Sequence, residues 1–125
     1  MGWREWEAAN NVRTRLQRQW AMLFKGWDVV LCPVMPTSAF KHDHAEASAR
    51  RLDVDGQTQS YTNNFVWAGP ATPVGLPATV APIGRTDSGL PIGVQIIGPH
   101  LEDLTPIQFA QLLEQAYGGF VPPVL

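Results

Sequence analysis

The residues able to do chemistry are few and widely spaced. Cys32 sits in the apolar run Asp28–Val34, and a cysteine hydrolase would need its thiolate beside a base such as His42 or His44. Free cysteine is among the most buried residue types, so the preferred reading of Cys32 is an inert core side chain. The cluster Lys41-His42-Asp43-His44 offers metal ligands, but zinc needs three or four converging groups. His42 and His44 supply two at an i, i+2 spacing, and His100 is the remaining imidazole. The cluster reads as a solvated, pH-responsive loop, with no metal or other cofactor expected. Acyl transfer needs a nucleophile, a base and oxyanion donors together. Ser38, Ser48, Ser60 and Ser88 are isolated, Lys25 and Lys41 have no pair of serines through which to relay a proton, and no catalytic residue is assigned.

The elements that would position these groups centre on Gly75–Gly98. Two strands are expected, Ala78–Ile83 and Ile92–Ile97, joined by the polar loop Gly84–Gly89, because β-branched residues dominate both runs. In the second, Ile92, Val94 and Ile96 point one way and Gly93, Gln95 and Ile97 the other, which predicts an interior strand covered by helices, with Val94 and Ile96 buried. Asp28–Val34 reads as a further buried strand. Trp3 to about Gly26 is an amphipathic helix whose stripe is Trp6, Ala9, Val12 or Arg13, Leu16, Trp20 and Leu23. Its arginines form a solvated face. Residues 35–61 form a long irregular loop, with Lys41–His44 exposed or mobile. Tyr61–Ala71 is mostly helical and is broken by Gly69-Pro70 and Thr72-Pro73. A last helix runs from about Asp103 or Thr105 to Tyr117, stopped by Gly118-Gly119, before an extended tail over 120–124.

Composition narrows the classes. At 125 residues the chain is a single domain or part of one. Its 16% charged residues fall below a usual ~25%, and five tryptophans accompany them, which points to apolar surface that something normally covers. A net charge of −2 gives no electrostatic case for nucleic acid. No apolar run approaches the ~18 residues of a membrane span, and one cysteine excludes an intrachain disulfide; a cytoplasmic location is favoured.

Pro77-Ala78-Thr79-Val80-Ala81-Pro82-Ile83-Gly84, Gly89-Leu90-Pro91-Ile92-Gly93-Val94-Gln95-Ile96-Ile97-Gly98 and Glu102-Asp103 together resemble the C-terminal part of an amidase signature family hydrolase. Asp28-Val29-Val30-Leu31-Cys32-Pro33-Val34-Met35-Pro36-Thr37 is similar to the family's "D-V-hydrophobic-P-x-x-P" strand. The resemblance covers most of the chain. It implies an α/β class: a C-terminal fragment of the amidase sandwich, with a central strand hairpin packed against flanking helices. It also implies hydrolysis of carboxamide C–N bonds by a Ser-cis-Ser-Lys triad that belongs to an earlier part of the fold and has no counterpart here. Phe40, His42, Asn64 and Trp67 become candidates for the substrate pocket. In the glutaminyl-tRNA amidotransferase branch a helix aspartate meets the substrate's ammonium. Asn64 is the nearest counterpart and carries no charge, which disfavours an amino-acid-type substrate.

Two functions remain open. The chain completes the sheet and pocket of an amidase whose N-terminal segment carries the triad, the small amide being a substrate of the complete enzyme alone. Alternatively it is a free-standing, non-catalytic binding or oligomerisation module derived from that fold. Either way the expected partner is an N-terminal amidase segment or a second copy.

Overall fold

A computed structural model describes residues 1–122. The element order is α1 (Trp3–Leu23), β1 (Val30–Pro33), β2 (Arg51–Val54), β3 (Gln57–Ser60), β4 (Ala78–Arg85), β5 (Pro91–Ile97) and α2 (Leu104–Tyr117). Two 3-10 segments, Tyr61–Ala68 and Thr72–Val74, connect β3 to β4. The tail expected over 120–124 lies partly outside the described residues.

The hairpin expected from the two β-branched runs is present. β4 and β5 pair antiparallel from Ala78↔Ile97 to Arg85↔Pro91, with a register shift between Pro82 and Gly84. The polar connection is shorter than expected, because β4 continues through Gly84 and Arg85. β1 pairs antiparallel on the other side, Val30↔Ile97 to Pro33↔Val94, so the order is β1-β5-β4 and β5 is central. Ile96 and Ile97 are fully buried, but Val94 is only half-buried, since it pairs with Pro33 and Ala81 nearer the open end of the sheet. α2 packs on β4 and β5. A close approach fixes its entry: a Cβ on Gly98 would stand 2.6 Å from Pro106 Cδ, and Pro106 itself is buried.

β1 departs from the buried strand expected over Asp28–Val34. It is an edge strand with alternating half-buried and exposed residues, because no strand among the described residues pairs beyond it. α1 departs further. Its N-terminus is tied by the Gly2 amide donating to the Glu5 carboxylate at 2.9 Å, half of a capping box, and Gly26 closes the last turn on Leu23. Yet no residue of α1 is buried. The row turned toward the chain is Asn10, Thr14, Gln17, Trp20 and Phe24, all half-buried, and the Gln17 amide donates to the Val74 carbonyl at 3.1 Å. Of the predicted stripe only Trp20 belongs to this row; Trp6, Ala9, Val12, Leu16 and Leu23 face outward.

The 35–61 segment is not irregular throughout. Arg51–Val54 and Gln57–Ser60 form a two-stranded hairpin in which Leu52 is buried. Asp55 and Gly56 make its turn at φ 53° and 77°, and the Asp53 carboxylate accepts from the Gly56 amide at 3.0 Å. Asp-Gly between extended runs is the favoured two-residue hairpin turn, and this signal was available in the sequence. Tyr61–Ala71 is realised as a tighter 3-10 segment ending at Ala68, where the Gly69 amide bonds to Val66.

Candidate functional site

The residues with ionisable or aromatic character gather where the chain leaves β1 and returns through the hairpin. A cavity of about 480 Å³ opens there, lined by Phe40, Lys41, His42, Arg50, Arg51 and Tyr61 among others. The hairpin positions the last three. The Tyr61 amide donates to the Arg50 carbonyl at 3.3 Å, extending the ladder past Arg51↔Ser60 and putting both side chains at the hairpin's base. Phe40 meets Tyr61 edge to face, with ring centroids 6.1 Å apart and an interplanar angle of 89°. The Arg50 guanidinium carbon lies 5.3 Å from the Tyr61 centroid, a cation–π arrangement, while its Nε–H donates to the Ala45 carbonyl. His42 stacks on His44 at 6.2 Å.

The pocket's charges are not internally paired. Arg51 donates to the carbonyls of Ser48 and Arg50. The carboxylates of Asp43 and Asp53 instead accept from the backbone amides of Ala45 and Gly56. Backbone partners leave formal charges uncancelled on both signs, so Lys41, Arg50 and Arg51 against Asp43 and Asp53, all on the lining, leave the cavity a single positive charge in excess.

The four pocket candidates do not converge. Phe40 and His42 share this cavity. Asn64 does not line it; it is 6% exposed, and its side-chain carbonyl has no hydrogen-bond partner among the described residues. Trp67 is half-buried, and its backbone carbonyl accepts from the Gln95 amide at 2.8 Å. That same amide lies 3.0 Å from Cys32 Sγ, so the thiol's partner is a neutral donor on the central strand. Gln95 was read only as a strand residue; the structure makes it the polar tie of the sheet. Among the described residues no three of His, Cys, Asp and Glu assemble as a metal site.

Other cavities lie around the sheet. One of about 590 Å³ is apolar and runs along Pro33–Ala39 beside Val80, Pro82 and Ile92. Another, about 610 Å³, lies between α1 and the loop before α2 and is bordered by Arg18, Trp27, His100 and Glu102. His100 Nδ1 is 3.2 Å from the Gly75 carbonyl.

The family model described as Amidase matches residues 3–105. The chain belongs to the amidase family. Among curated relatives it is 34% identical over 120 residues to a glutamyl-tRNA(Gln) amidotransferase subunit from Exiguobacterium sp., covering 96% of this chain and 23% of the relative. It is 36% identical over 110 residues to the same-named protein from Rubrobacter xylanophilus, covering 88% and 21%. The solved structure of the corresponding glutamyl-tRNA(Gln) amidotransferase subunit from Thermotoga maritima superposes with a TM-score of 0.68 at 27% identity, over 89% of this chain and 23% of that one. An inhibitor-bound vestigial complex that bears on the origins of an s-triazine catabolic enzyme gives 0.76 at 22% identity, over 95% and 25%, a likeness of fold. This amidase-family chain thus spans about a quarter of the length of the relatives it matches, and its mixed helix and sheet is a fragment of the α/β amidase fold. No helix among the described residues is long and apolar enough to cross a membrane.

Proposed function

We propose that this chain supplies the C-terminal flank of a cytoplasmic amidase that hydrolyses carboxamide C–N bonds through a Ser-cis-Ser-Lys relay. The relay resides on a complementary N-terminal segment, and this chain completes the sheet and walls the substrate pocket. The observation that carries the reading is the surface left open by α1. Trp3, Trp6, Val12, Leu16 and Leu23 are exposed on one helix, and β1 and β4 leave both sheet edges unpaired among the described residues. Apolar helix surface and open strand edges are the parts of a larger sandwich that another segment covers. Phe40 and His42, which line the cavity, are the proposed pocket residues on this chain, and Asn64 and Trp67, which do not line it, are proposed to reach the substrate only in the complete fold. The neutral Asn64 favours an amide without an amino-acid ammonium group.

The test is reconstitution. The purified chain is expected to release no ammonia from a simple aryl amide, and mixing it with an N-terminal amidase segment bearing the two serines and the lysine is expected to restore turnover. Ser60→Ala and Cys32→Ala in this chain should leave the restored activity unchanged. Hydrolysis by the purified chain alone, abolished by either substitution, would overturn the assignment. An upstream reading frame encoding the Ser/Lys signature supports a split or longer enzyme. Without such a frame, and with stable self-association in solution, the chain is a non-catalytic module derived from the same fold.

A further inference from the structure

We propose that the cavity beneath Phe40 and Tyr61 is an anion subsite that takes a planar, carboxylate-bearing group, and so that the amide substrate carries such a group; the second clause rests on the amidase reading. Three cationic side chains, Lys41, Arg50 and Arg51, border one cavity of about 480 Å³, a size ordinary for small-molecule pockets. Asp43 and Asp53 line the same cavity, each accepting from a backbone amide of its own turn, so three cations face two carboxylates and one positive charge is in excess. Arg50 is the anchor. Among the described residues only its Nε–H is engaged, by the Ala45 carbonyl, and the Tyr61 ring lies 5.3 Å from its guanidinium carbon. This fixes the guanidinium plane and leaves its two terminal amino groups to present a fork, the geometry that matches a carboxylate. Beside the fork, Phe40 and Tyr61 meet at 89°, so an aromatic face and an aromatic edge line one wall. Such a wall prefers a flat, partly apolar ligand to a small hydrated anion.

Benzoate is the probe, benzamide its neutral isostere and inorganic phosphate the non-planar anion, each titrated into the 125-residue chain by calorimetry and amide chemical-shift mapping. Benzoate is expected to saturate, to shift the amides of Arg50, Arg51 and Tyr61, and to bind at least about tenfold more tightly than benzamide, as loss of a charge-assisted pair implies. Its affinity should fall several-fold between about 20 and about 300 mM salt. Arg50→Gln and Lys41→Gln should each weaken it about fivefold or more with the far-ultraviolet spectrum unchanged. If Arg50→Gln perturbs the hairpin, Arg51→Gln on the exposed strand and the salt series carry the same test. Equal binding of benzamide, equal binding of phosphate, or indifference to all three substitutions would overturn the subsite. The readout needs no turnover. Failed reconstitution leaves a measured carboxylate site standing, and absent binding removes the subsite without touching the amidase reading.

Discussion

The side-chain amide of Gln95 lies 3.0 Å from Cys32 Sγ across the β1–β5 pairing, and the same nitrogen donates to the Trp67 carbonyl at 2.8 Å. One side chain on the central strand thereby holds an edge strand and the 3-10 segment that carries Asn64. Gln95→Leu would leave the Trp67 carbonyl unpaired in a partly buried place, at a cost of about 1–3 kcal/mol. Cys32→Ala, which removes a weak acceptor and little volume, should cost less. Urea midpoints of the two variants measure the difference, and equal shifts would mean that the bond to Trp67 contributes nothing.

Gly98 is expected to tolerate no side chain. A Cβ there meets Pro106 Cδ at 2.6 Å and Cγ at 3.0 Å, and a proline ring at a helix start has little room to yield. Gly98→Ala should destabilise by about 1–3 kcal/mol through overpacking. An unchanged midpoint would show that α2 shifts freely on the sheet.

Sequence alternation treats Val94 and Ile96 alike, but the structure separates them: Ile96 is 0% exposed and Val94 is half-buried. Ile96→Ala should therefore cost about 2–5 kcal/mol, and Val94→Ala only about 1 kcal/mol. Paired denaturation curves check the order. A reversal would place the core nearer the Pro91 end of β5.

Leu101 occupies the left-handed region at φ 64° with its side chain largely exposed. A leucine there carries about 1–2 kcal/mol of backbone strain with little packing to offset it. Leu101→Asn should raise the thermal midpoint of the isolated chain by a few degrees. A fall in that midpoint would show that Leu101 packs against a surface the chain makes in solution.

Association is the expected state of the chain in solution. Trp3 and Trp6 stack at 5.2 Å on the outer side of α1, and the low formal charge opposes self-association weakly. Sedimentation over a wide concentration range should show oligomers, or a complex once a complementary segment is added. Trp6→Glu should shift either equilibrium toward monomer. A monodisperse monomer at high concentration, with indoles protected from quencher, would contradict this expectation.

The β4–β5 hairpin, the central place of β5 and the span of α2 were legible in the sequence because their causes are local. β-branched residues alternate along Ile92–Ile97, glycine and proline punctuate the strand ends, and Gly118 stops the last helix. The Asp55-Gly56 turn was equally local, and its signal stood in the residues between β2 and β3. Other features had no such local cause. The period of α1 identifies a helix and a stripe, but which row docks depends on what lies opposite, and here it is the row of Gln17, bonded to Val74 57 residues away. The exposure of β1 follows from its place at the sheet edge, which strand composition does not encode. The candidate site divides in the same way. Phe40, His42 and Asn64 could be named from residue type and resemblance, but their separation could not, nor could the meeting of Arg50 with Tyr61. That contact requires the hairpin to close first, and only then does a polar surface of ordinary composition become a pocket with a charge and a shape.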